Sequence, residues 1–205
     1  MKSSGTVRVL RWGCLALAGL VVAVHGCGSG PASIERVVRP DDAAGYQHYL
    51  DRYNGQPAAA WLAWRSAETG TPVEALRKAD EALSRTENPF SPDDALTVQR
   101  GALVYSTSCV TCHGPGADGR DASGQTLIGR KDFTHPHTRM ALKMNPDRLA
   151  QWYQTVDRGT VGEHPVPGAS AAVMPAMGEQ LTREQIWLVL NWLASDRAIE
   201  SEVKP

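Results

Sequence analysis

The sequence predicts an all-α protein, and three observations carry that expectation. No stretch alternates polar and apolar residues with period two, the mark of a half-buried strand. Apolar residues instead recur at three- and four-residue spacings through most of the chain. Pro, Gly and small polar residues fall where such segments would begin and end. The 205 residues suffice for one domain with its own core plus a modest appendage. Lys plus Arg number 21 and Asp plus Glu 22, and no basic stripe carries interleaved aromatics, so no nucleic-acid partner is expected. Four cysteines make neither a disulfide scaffold nor a thiol-free chain.

Residues 1–26 read as an export signal of lipoprotein type. Lys2, Arg8 and Arg11 form a positive front, followed by an apolar run from Cys14 to Val24. That run is shorter than the about 20 residues that cross a bilayer, but it suits a signal-peptide core. "VHGCGSG" resembles the bacterial lipobox, with cleavage after Gly26 and lipidation of Cys27; His25 departs from the usual small residue. Ordinary cleavage and an uncleaved anchor are the alternatives, and all three readings export the remainder. Removal of the segment leaves 18 basic against 22 acidic residues, a formal charge of −4. Residues 27–40, beginning "CGSGPAS", read as a flexible tether.

Residues 41–90 form a small helical extension. "DDAAGYQHYLDRY" has helical spacing, and "PAAAWLAWRSAETG" puts Trp61 and Trp64 on one face with Gly70 as the stop. "TPVEALRKADEALSRTEN" opens with Thr71 as N-cap, Pro72 at the first helical position and Glu74 completing a capping box. Val73, Leu76, Ala79 and Leu83 then make an apolar stripe. No motif here carries chemistry.

Residues 91–198 form the main domain, with 199–205 as a tail. Ser91 and Pro92 start a helix that ends at Cys109. "GPGADGRDASG" is a loop by composition. Asn145 and Pro146 open a helix closed by Gly159, and a Pro- and Gly-rich stretch follows. The last helix starts with a Thr182–Gln185 capping box; it carries Ile186, Val189, Leu190 and Leu193 on one face, with Trp187 and Trp192 alongside. Met140 and Met144 are expected to fill gaps in the core. His135 and His137 are expected in an exposed loop.

"SCVTCHGPG" holds the chemistry. A structural zinc site needs four ligands; only His135, His137 and His164 could complete one with Cys109 and Cys112. A thioredoxin-like dithiol requires a βαβ setting, which is absent. The remaining reading of C-x-x-C-H is attachment of one haem c. Cys109 and Cys112, on one turn, reach the two vinyl groups at one porphyrin edge, and His113 binds iron. A second axial ligand is available from Met174 or Met177 in "VMPAMG"; a thioether favours ferrous iron and raises the potential relative to two histidines.

Residues Pro92 to Asp196 resemble the class I cytochrome c family. Gly101 and Tyr105 match the G-x-x-x-aromatic pattern of its first helix, "GQTLIG" its G-P-x-L-x-G loop, and "MPAMG" its methionine motif. The resemblance assigns Met174 to iron and Met177 to packing. It puts Gln125 where the family often has a proline whose carbonyl accepts the proximal histidine's hydrogen bond. It also implies that the last helix crosses the first, Trp192 lying near Gly101. Leu127, Trp152, Val173 and Ile186 are candidate haem-wall residues.

With iron closed on both faces, the resemblance implies a single-haem electron carrier rather than an enzyme. Its partners would be redox proteins or a respiratory complex, with no small-molecule substrate. The expected site is the periplasmic side of a bacterial membrane, anchored by lipid at Cys27. A fixed haem subunit of a larger membrane oxidoreductase, and a sensor or enzyme with an open iron site, are the competing readings.

Overall fold

Capping residues and helical punctuation place eight helices and no strand among the described residues, as an all-α chain requires. A computed structural model describes residues 40–126, 131–160 and 174–195. The signal segment, Cys27, the tether up to residue 39 and the tail lie outside the described residues, as do Leu127, Gly129, His164 and Val173. The helices are α1 (Pro40–Arg52), α2 (Pro57–Thr69), α3 (Val73–Ala82), α4 (Ala95–Ser108), α5 (Val110–His113), α6 (Pro136–Met144), α7 (Pro146–Arg158) and α8 (Arg183–Ala194). None is long and apolar enough to cross a membrane.

Local chemistry moves two helix starts from where the sequence put them. Thr71 does not cap α3; Pro72 precedes the helix with ψ 139°, and no side chain caps it. The residue before a proline is pushed toward extended backbone, so Thr71 stays out of the helix. Val73, Leu76 and Leu83 of the expected stripe are only half-buried and Ala79 is exposed. Ser91 and Pro92 likewise lie ahead of α4. Asp94 is its N-cap, its carboxylate accepting the Thr97 amide at 2.7 Å. A carboxylate there satisfies an orphan donor and complements the helix dipole, which the earlier serine would do more weakly.

Residues 136–144 are a helix where the sequence suggested a loop. His135 caps α6 by accepting the His137 amide at 3.3 Å, and Pro136 occupies the first turn. The inward residues of α6 are Arg139 and Leu142. Met140 and Met144 sit four apart on another face and are 58% and 74% exposed, so they are surface residues and not core fillers.

Helix α8 is the centre of the packing. Every residue from Gln185 to Ala194 is buried, because neighbours cover all its faces. On one side α4 crosses it at backbone contact. A Cβ on Gly101 would lie 2.1 Å from the Leu188 carbonyl oxygen and 2.7 Å from Cβ of Trp192. On other faces the extension does the covering, and Tyr46, Leu50, Trp61 and Trp64 belong to the same apolar cluster as Ile186, Trp187 and Leu190. Burying each such aromatic contributes roughly 2–3 kcal/mol.

Polar contacts fix the extension in register along α8. The Thr182–Gln185 capping box is formed, at 3.1 and 2.9 Å. Asp80 of α3 then accepts the amides of Arg183 (3.0 Å) and Glu184 (2.7 Å), so the first turn of α8 is capped from two directions. The Trp61 indole donates to the Glu184 carboxylate at 2.7 Å, and the Trp187 indole to the Ser84 carbonyl at 2.8 Å. Asn88 and Asn191 exchange amide hydrogen bonds at 2.8 and 3.0 Å.

Gly101→Ala is expected to force the two helices apart and cost about 3 kcal/mol, lowering the melting temperature by ~10 °C in far-ultraviolet circular dichroism. Asp80→Ala should cost about 1–2 kcal/mol, a loss of roughly 3–6 °C in the same measurement. An unchanged melting curve in either variant would contradict the packing described.

Candidate functional site

The end of α4 and the single turn of α5 hold the C-x-x-C-H residues. Cys109 closes α4, its amide bonded to the Tyr105 carbonyl at 2.9 Å. Its own carbonyl then accepts the amides of Cys112 (3.1 Å) and His113 (3.0 Å), so all three side chains issue from one turn. Gly114 ends that turn with φ +82°, and a Cβ there would stand 1.7 Å from the Arg120 carbonyl oxygen; only glycine fits. The Tyr105 hydroxyl donates to the Gly114 carbonyl at 2.7 Å, and its ring packs on Trp192 with centroids 4.5 Å apart. Burial raises the Tyr105 phenol far above its usual range, so it serves only as a protonated donor.

Cys109 is half-buried and Cys112 exposed, both as free thiols. Burial pushes the Cys109 thiol up to about 12, with the neighbouring Cys112 adding to the rise. Held protonated, Cys109 itself is a poor nucleophile. His113 packs against Phe133 with ring centroids 5.1 Å apart, and Phe133 meets Trp152 edge-on at 5.3 Å. The Lys131 ammonium lies 5.4 Å from the Trp152 ring centroid.

Cys109, Cys112, His113 and Met174 all line one cleft. Its walls are mainly hydrocarbon, from Val189, Leu190 and Leu193 of α8, Trp152 and Val156 of α7, and Leu181, with Lys131, Thr155 and Thr160 among the polar lining. Met177 lines the same cleft and packs partly against the core. Trp152 stands in the wall as expected. Ile186 does not; it is fully buried in the core, on the same face of α8 as Val189 and Leu190 but a turn nearer the helix start, beyond the end of the cleft. The Gln125 carbonyl accepts the Asp121 amide at 2.9 Å, which ties the loop back on itself.

The methionine segment rests on the end of α7. The Val156 and Asp157 carbonyls, among the last four of the helix, accept the amides of Met177 (2.9 Å) and Gly178 (3.0 Å). Gly159, at φ +74°, lets the two strands of backbone meet; a Cβ there would lie 2.5 Å from the Met174 carbonyl oxygen. Sequence inspection gave Gly159 only a helix-stopping role and missed Thr160, Lys131 and Phe133. None of these three sits in a periodic segment or a metal-ligand spacing, so only the folded geometry brings them to the cleft.

His135 and His137 stack at 5.4 Å on the exposed start of α6. Among the described residues no three His, Cys, Asp or Glu side chains gather as a metal site.

The residues present suit one kind of group. An apolar cleft accepts a flat hydrophobic macrocycle, two thiols on one turn can take thioether bonds, and imidazole and thioether are ligands for its iron. An all-α fold with crossing helices around such a cleft is a cytochrome c-like domain. Residues 96–193 match the family model described as cytochrome C oxidase, cbb3-type, subunit III, which supports a cytochrome c family for this segment. The cofactor of such a domain is covalently bound haem c, and its role is haem-based electron transfer. No curated protein and no solved structure matches the chain.

Proposed function

We propose that the protein is a monohaem c-type cytochrome that passes single electrons between redox partners at the outer face of a bacterial membrane. Cys109 and Cys112 would hold the haem through thioether bonds, and His113 and Met174 would supply the ligands to its iron. The observation that carries this reading is the meeting of the C-x-x-C-H turn and Met174 in one hydrocarbon-walled cleft. When bound, the haem supplies a one-electron ferric–ferrous couple. The chain's own residues exclude water with the α8 wall, position His113 against Phe133, and fix the methionine segment on α7. The sulfur ligand and the apolar wall both favour the less charged ferrous state. With His113 and Met174 both on the iron, no coordination position would be left for a substrate, and a partner would dock at the edge of the cleft. The lipobox resemblance around Cys27 supports export and a lipid anchor.

A second reading has a specific observation behind it. The matched family description names an oxidase subunit, which favours a haem subunit held permanently within a membrane complex. Co-purification of other subunits from native membranes supports that arrangement; a cytochrome recovered alone supports the mobile carrier.

Mass spectrometry of the mature protein from its native host is expected to show one haem added, cleavage before Cys27 and lipid on it. Cys109→Ala and Cys112→Ala should each prevent complete double attachment. A correctly exported chain without covalent haem would overturn the proposal. Met174→Ala is expected to abolish the sulfur-to-iron charge-transfer band and lower the potential. Loss of the band with Met177→Ala instead would reassign the ligand.

A further inference from the structure

Thr160 is joined to Met174 twice. Its amide donates to the Met174 carbonyl at 2.9 Å, and its hydroxyl Oγ1 accepts the Met174 amide at 3.2 Å. The two residues form an isolated antiparallel bridge, and both line the cleft. The amides of Met177 and Gly178 are satisfied by the end of α7, whereas the amide of Met174 itself is met by this side chain. Gly159, immediately before Thr160, leaves no space for a Cβ against residues 174–176, so the contact is made where the two backbones are in close approach.

We propose that Thr160 is the positioning residue for the sixth ligand; the inference rests on Met174 being that ligand. The backbone half of the bridge holds Met174 at its carbonyl, and any residue at 160 except proline supplies it. The hydroxyl half holds the amide on the other side of the same Cα. Together they remove rotation of the Met174 backbone, so the side chain leaves Cα in one direction, into the cleft. Without the hydroxyl, the Met174 amide loses its partner and the segment can swing about the remaining bond. Dissociation of the thioether then becomes easier, although the composition of the cleft is unchanged.

The test uses the haem-loaded full chain, with Thr160→Val, which keeps the shape and removes the hydroxyl, and Thr160→Ser, which restores it. Carbon monoxide reaches ferrous iron only when the methionine has left, so its association rate reports the open fraction. The net worth of an ordinary hydrogen bond predicts an about fivefold faster rate in Thr160→Val. On heating, the charge-transfer band of that variant should vanish before the far-ultraviolet dichroism melts. Thr160→Ser should return both readouts to the wild-type values. A Thr160→Val protein with the wild-type carbon monoxide rate and coincident loss of band and fold would overturn the proposal. A wild-type protein lacking the band would overturn the Met174 ligation itself, and this proposal with it.

Discussion

At the crossing of α4 and α8 the Leu188 carbonyl fills the volume that any side chain at position 101 would need. The two helices touch through backbone, and that contact sets what each presents elsewhere. Two turns beyond Gly101, α4 delivers Cys109 to the cleft, while α8 supplies Val189, Leu190 and Leu193 to its wall. The crossing is tied to the site by a short relay: Trp192 packs against Tyr105 with the rings tilted, and Tyr105 holds the Gly114 carbonyl at the exit of the C-x-x-C-H turn. A change in helix separation is therefore felt at both cysteines. Rigid packing of this kind lets a one-turn attachment site keep its geometry without a β-framework.

The extension belongs to the same construction. A helix buried on every face must satisfy its terminal amides inside the protein, and α8 borrows Asp80 for two of them. Glu184, which would be a costly charge near the core, is matched by the Trp61 indole and lies 3.6 Å from the Arg65 guanidinium. The extension has no residue in the cleft. Its contribution to function runs through α8, whose wall it backs.

Much of this was legible in the sequence because it rests on local chemistry. The capping box at Thr182, the Gly70 stop, the Asn145–Pro146 start and the C-x-x-C-H turn each depend on a few neighbouring residues, and each lies where the pattern puts it. The glycine at 101 was readable through its family resemblance. What the pattern concealed depends on distant partners or on competition between adjacent caps. Asp94 outcompetes Ser91 for α4. His135 caps a helix that its histidine pair disguised as a loop. Met140 and Met144 looked like core residues by polarity alone, and only the burial of Arg139 and Leu142 decides which face of α6 turns inward. Asp80, Phe133 and Thr160 carry no signature, since their partners lie far along the chain or across a loop.

The distance in sequence between α8 and the residues that clothe it bears on how the chain matures. Ser84 and Asn88 meet Trp187 and Asn191 across 103 residues, and Tyr46 meets Gln185 across 139. Closing loops of that size is slow compared with forming a helix, and α8 is the last of the described helices in chain order. Until it docks, the Cys109–His113 turn lacks the apolar wall that Val189, Leu190 and Leu193 supply. The order of the chain thus leaves the C-x-x-C-H turn uncovered on its α8 side until the most distant contacts have closed.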